Sequence, residues 1–299
     1  MGDNGIKAHA VLHEVGSADV STMVTYNPAM LFISAAIISI DHKLDDIKRL
    51  QQDTIDILER DKKSQLRADM DLLMEISGNY KYEWDNDSLV SVNLSQVKSI
   101  KRNALKDIYS YMEEVERLLD DGKEESITKR TGQVNRIFNR FVHYKLGLYV
   151  YTMSSLFEII LSRNFNGEYI RNILAGLEEY SYQYRVLYTR CYDCIEFLMK
   201  SSVISKVTGG IAHINRTAGM AVGKIPIINK SQININMLKN SERLEKKEYE
   251  KNMRVMERFM VYKDSGIQAL IDNIESINII YNEPIELYCD RENIYLAKI

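Results

Sequence analysis

Proline is nearly absent from this chain. Three prolines occur in 299 residues, and proline is the residue that most firmly stops a helix, because it lacks the N–H and clashes with the turn before it. The fourteen glycines complete a small set of breakers. A β-sandwich of this length needs turn residues every few positions, and a doubly wound α/β protein spends glycine in its strand–helix loops. Few and long elements follow, and these are helices. With 45% hydrophobic and 27% charged residues, the chain has the apolar content of a core-forming protein. The predicted fold class is mainly all-α: an elongated bundle of about five long helices, with short strands in the N- and C-terminal tails.

Three stretches organise the chain. Residues 1–26 form an N-terminal segment. There Ile6, Ala8 and Ala10 alternate as in a short strand, and Gly16-Ser17-Ala18-Asp19 reads as a turn. Residues 27–283 are the bundle. Asn27-Pro28 is a helix start, an N-cap followed by proline at the first helical position. The helix is expected to run to Ser77-Gly78 with Ile40, Leu44, Ile47, Leu50, Ile55 and Leu58 on one stripe, weakening near Asp61-Lys62-Lys63. Residues 79–95, with the single Trp84, read as a polar connection. Further helices are predicted over Gln96–Leu119, over Thr131–Arg163 and after Asn166-Gly167. In a fifth and final helix, Tyr249, Met253, Met256, Met260, Lys263, Ile267, Leu270, Ile274, Ile277 and Tyr281 recur at alternating steps of four and three. That periodicity predicts one long coiled-coil-like helix. Met253, Met256, Met260, Ile267, Leu270 and Ile274 are its buried seam, and Pro284 ends it. The tail, 284–299, is expected to fold as a hairpin around the polar DREN.

Catalytic signatures are missing. The sequence has no phosphate-binding GxxxxGK[ST] or GxGxxG, no GxSxG and no HExxH. Cys191 and Cys194 form a CxxC, yet it lies inside an apolar helical pattern. A redox pair needs the helix N-terminus to lower its thiol pKa, and a zinc site needs two more ligands. Buried core cysteines are the expectation. His9 and His13 lack further ligands at a metal spacing, and His42, His143 and His213 are isolated. The tyrosines from Tyr169 to Tyr192 have no basic patch beside them and read as helix packing. A formal charge of −3 gives no overall attraction to nucleic acid. No enzyme activity, cofactor, metal or nucleic-acid partner is expected. The first nineteen residues contain no apolar run of the signal-peptide kind, so a cytoplasmic location is expected.

Two segments stand apart. Val20–Ile40 has no formal charge, and within it Ala29–Ile38 is strongly apolar; residues 28–40 suit a buried core helix or a lipid-inserted one. Phe197–Ser241 contains no Asp or Glu, while Lys200, Lys206, Arg216, Lys224, Lys230 and Lys239 supply six positive charges. Wound as a helix, Val203, Ile204, Val207, Ile211, Ile214, Ala218, Ala221, Val222 and Ile225 share one arc, and Lys206, His213, Arg216, Thr217 and Lys224 share another. Gly209, Gly210, Gly219 and Gly223 weaken that helix by roughly 1 kcal/mol each, and Gly219 and Gly223 make a GxxxG. Residues 201–229 thus read as a basic, glycine-rich amphipathic segment of the kind that binds membranes conditionally. The same composition suits close packing of helices inside the protein. The layout of long helices with a glycine-rich apolar insert resembles that of α-helical pore-forming toxins of the cytolysin A type; the resemblance is architectural and rests on no motif.

The functional expectation is a non-enzymatic helical protein that meets an anionic membrane surface peripherally, as an effector or in a pore-forming-like role. The expected contacts are Lys206, Val207, Ile211, Ile214, Arg216, Val222, Lys224 and Ile225. The alternative is a helical scaffold that binds a protein partner, or another copy of itself, through its C-terminal heptad helix.

Overall fold

A computed structural model describes residues 11–14, 60–120, 127–204, 243–289 and 294–298. Among them are six α-helices: α1 (Arg60–Glu83), α2 (Asp87–Asp120), α3 (Ile127–Ser162), α4 (Gly167–Ile204), α5 (Arg243–Met260) and α6 (Gln268–Asn282). A 3-10 turn (Val261–Lys263) follows α5, and three short strands, β1 (Val11–Glu14), β2 (Ile285–Cys289) and β3 (Ile294–Lys298), complete the order. The helices are long and packed, and the all-α bundle predicted from the scarcity of breakers is the fold. In the C-terminal tail β2 and β3 pair antiparallel, Ile285 opposite Lys298. In the N-terminal segment β1 pairs parallel with β2, Val11 opposite Glu286.

The first boundary departs from expectation. Ser77-Gly78 does not stop α1, which runs on to Glu83. Met70, Leu73, Ile76 and Tyr80 are all buried at helical spacing, so burying Tyr80 beyond the glycine outweighs a glycine penalty of roughly 1 kcal/mol. The expected polar connection 79–95 shrinks to Trp84–Asn86. There the Asn86 side chain accepts the Leu89 N–H at 3.2 Å and starts α2. Residues 87–95 look polar because they bury only one thin stripe, with Val90 inside and Leu89 and Val92 exposed. Asn166 starts α4 as expected, its Oδ1 accepting the N–H groups of Glu168 (3.0 Å) and Tyr169 (3.1 Å).

The chain divides into two compact units, whose boundaries fall within α2, α3 and α4 and at Gly266. One comprises residues 1–103, 150–178 and 267–299. Its core joins Leu73, Val97, Ile100, Met153, Phe157, Ile170, Leu270 and Ile274. Lys101 Nζ donates to Glu158 Oε2 at 2.8 Å. Phe165 stacks on Tyr281 with centroids 3.9 Å apart, and Asn282 closes the same corner by donating to the Phe165 carbonyl at 3.0 Å. A Cβ on Gly167 would come within 2.9 Å of Asn282 Cγ, so any larger residue must displace the Asn282 side chain.

The other unit comprises residues 104–149 and 179–266. In α2 its buried residues are Ala104, Ile108, Tyr111, Val115 and Leu118, alternating at four and three. In α3 every residue from Phe141 to Val150 is buried, as in a helix enclosed on all sides. Arg140 pairs with Glu114 at 2.7 Å and Arg190 with Glu116 at 2.9 Å.

The predicted single C-terminal helix is two helices. After the 3-10 turn the chain breaks at Asp264-Ser265-Gly266: Asp264 is extended (φ −92°, ψ 134°), and Gly266 takes φ +77°. Asp264 Oδ1 accepts the Gly266 N–H at 2.8 Å, an Asx turn that competes with helix. The seam shifts accordingly. Met256, Ile267, Leu270, Ile274 and Ile277 are buried, but Met253 is half-buried, Lys263 is exposed and Met260 is 44% exposed. On α5 the buried set is Asn252, Val255, Met256 and Phe259. α6 ends at Asn282, before Pro284, as expected.

Candidate functional site

The most unusual chemistry among the described residues is a lysine inside the enclosed part of α3. Lys145 is 4% exposed. Helical spacing turns it toward the α5–α6 break, where its Nζ donates to the Asp264 carbonyl at 2.5 Å and stands 5.2 Å from the centroid of the Tyr262 ring. Tyr184 of α4 reaches the same place: its hydroxyl donates to the Tyr262 carbonyl and lies 3.4 Å from that of Asp264. A helix that stops leaves its last carbonyls without intrahelical partners, and these two side chains satisfy them.

An aromatic cluster surrounds the pair. Tyr144 stacks on Tyr184 at 5.9 Å. Phe259 of α5 stacks nearly parallel on Tyr188 at 4.8 Å and meets Phe141 edge-on at 5.1 Å. Phe138 packs edge-on against Tyr262 at 5.6 Å. Arg258 covers the Phe138 face at 5.0 Å. In this apolar setting a charged amine is poorly solvated. Burial lowers the Lys145 pKa to about 8, against a smaller opposing pull from the Asp264 carboxylate. Burial likewise pushes the Tyr184 hydroxyl well above its usual range. The site thus holds one proton that leaves near pH 8, fixed to the carbonyl of a chain break.

Lys145 was readable in the sequence as the single charge inside FVHYKLGLYVY, although no motif points to it. Lys206, Val207, Ile211, Ile214, Arg216, Val222, Lys224 and Ile225 fall outside the described residues, as do residues 28–40, His9, His42 and His213. The CxxC sits in α4, with Cys191 buried and Cys194 half-buried, both free thiols. Burial raises both thiol pKa values, that of Cys194 to about 11, the opposite of redox activation. His143 is buried on α3, its Nδ1 2.6 Å from the Asn139 carbonyl. Tyr184, Tyr188 and Tyr192 are buried in helix packing, whereas Tyr182 is exposed. Among the described residues no group of His, Cys, Asp and Glu is arranged to hold a metal ion, and no helix is long and apolar enough to cross a membrane. The chain matches no protein-family model, no curated protein and no solved structure.

Proposed function

We propose that the chain is a non-enzymatic helical protein of the cytoplasm that associates peripherally with anionic membranes through residues 201–229. One observation carries the reading: the 45 residues from Phe197 to Ser241 hold six Lys or Arg and no Asp or Glu, in a chain otherwise rich in both signs. α4 ends at Ile204 and α5 begins at Arg243, so folded helices of one unit tether this run at both ends. Apolar burial by Val207, Ile211, Ile214, Val222 and Ile225 supplies one driving force, at roughly 25 cal/mol per Å². Lys206, Arg216 and Lys224 supply another, about 1 kcal/mol each near anionic headgroups and weaker in salt.

Co-sedimentation with anionic and neutral liposomes at two salt concentrations tests this. Binding is expected to anionic vesicles at low salt, to vanish in Lys206→Glu with Lys224→Glu, and to fall in Ile211→Asp. A chain that ignores anionic vesicles at low salt refutes the membrane reading. The second reading, a scaffold that binds a protein partner or a second copy through its C-terminal helices, draws on α5. Met253 and Met260 lie two turns apart on one face, and Val261 beside them is 72% exposed, an apolar strip suited to another helix.

A further inference from the structure

We propose that α5 with the Asp264–Gly266 turn is a releasable strap, seated on α3 and α4 by aromatic contacts and kept easy to detach by the Lys145 charge buried under it. The seat and the hinge are both visible. Phe259 is the main anchor, packed on Tyr188, Phe141 and Phe138. At the other end the chain leaves helical geometry at Tyr262 (φ −90°, ψ 15°) and passes through the left-handed Gly266, where backbone rotation is easiest. Two features oppose seating. The Asn252 side-chain oxygen on α5 is buried with no hydrogen-bond partner, and the Lys145 ammonium lies over the Tyr262 ring and shares the Asp264 carbonyl with the Tyr184 hydroxyl. Among the described residues Asp264 is the carboxylate that acts on it, while Glu116 of α2 acts on the neighbouring Tyr144. Beyond Tyr184 lie Tyr188 and Cys191, whose protons burial holds in place, so neither offers a counter-charge. A natural core with one lysine at its centre carries a standing cost that an apolar residue of the same length lacks. Release returns the amine to water and uncovers Phe138, Phe141 and Tyr188.

The pH dependence has a definite sign. The seated amine titrates near 8 and the released one near the ordinary lysine value of about 10.4. Between those values the seated state binds fewer protons, so seating strengthens as pH rises. Below about 8 both states are protonated, and release is easiest.

Hydrogen exchange of the full chain, read by mass spectrometry and corrected for intrinsic rates, tests the strap at pH 7 and pH 9. Opening of α5 should drop about tenfold from pH 7 to pH 9, relative to α2. Lys145→Met should abolish that pH dependence and slow α5 opening at pH 7. If α5 opening in the parent is the same at both pH values, or if Lys145→Met opens α5 further at both, the lysine is a clamp and the proposal is wrong. Phe259→Ala supplies the second check. Faster exchange confined to α5 supports a separable strap, whereas equal loosening of α2, α3 and α4 overturns it.

Discussion

Two hydroxyl and amine groups at one carbonyl pair decide whether the α5–α6 break is cheap or costly. Tyr184 Oη and Lys145 Nζ both serve carbonyls that lost helical partners, and the two side chains differ in what their loss does. Tyr184→Phe removes a neutral donor and keeps the ring stacked on Tyr144, leaving a buried carbonyl with a poorer partner. Stability should fall by about 1–2 kcal/mol in urea unfolding; an unchanged midpoint at unchanged slope refutes the hydrogen bond's role. Lys145 was legible only as an oddity, one cation in ten enclosed positions, because sequence periodicity reports which face is apolar and says nothing of a helix enclosed on every face. The carbonyl it serves lies 119 residues away in sequence, a pairing that no local pattern encodes.

At the scale of elements, two glycines give opposite predictions. Gly78 lies mid-helix in α1, and a Cβ there meets nothing within 4 Å. Gly78→Ala should therefore raise stability by roughly 0.5–1 kcal/mol. Gly266 sits at φ +77°, so Gly266→Ala should lower it by roughly 1–2 kcal/mol although a Cβ there meets only Lys145 Cε, at 4.0 Å. Thermal melts of the two variants should move in opposite directions. Leu270→Asp places an unpaired charge in the buried face of α6 and should cost several kcal/mol, whereas Met260→Asp, at an exposed site, should change stability little. The heptad pattern alone predicts equal damage from both. It was right for Ile267, Leu270 and Ile274 and wrong for Met260, because apolar residues recur at seven through Asp264-Ser265-Gly266 while the backbone does not. An Asx turn of three residues resets the phase, so the α5 seam runs through Val255 and Phe259, one position from where periodicity puts it. The end of α3 and the start of α4 were legible to within a residue, whereas α3 begins at Ile127, four residues before the expected Thr131. Both carry long apolar runs, and Asn166 announces α4 by side-chain chemistry alone.

For the whole molecule, the count of breakers was enough to give the class, since three prolines cannot punctuate a chain of 299 residues into many short elements. The division into two units was not legible, because it passes through uninterrupted helices that carry no linker composition. Alkaline stability draws on groups from two helices at once, α3 and α4. Lys145, with its pKa lowered to about 8, contributes stability that is full above the unfolded lysine value and lost as pH falls through 8. Cys191 and Cys194, both raised by burial, work the other way. Their contribution is full below the unfolded thiol value near 9 and is lost as pH rises toward 11 and beyond. Tyr188 and Tyr192, each raised to about 12 chiefly by burial, add the same sign from about pH 10 upward. The lysine contribution dominates between pH 8 and 9; two thiols then offset it, and tyrosines join above. Urea unfolding from pH 7.5 to 10.5 should therefore show stability climbing to a maximum near pH 9 and falling beyond it. Lys145→Met should flatten the climb and keep the fall. Cys191→Ala with Cys194→Ala, referenced to its own stability at pH 7.5, should keep the climb and make the fall shallower, the remainder coming from buried tyrosines that are half ionised at about pH 10 in the unfolded chain. A parent whose stability declines steadily from pH 7.5 contradicts a buried ammonium at Lys145, and a fall above pH 9 that is equally steep without both thiols assigns it to other groups.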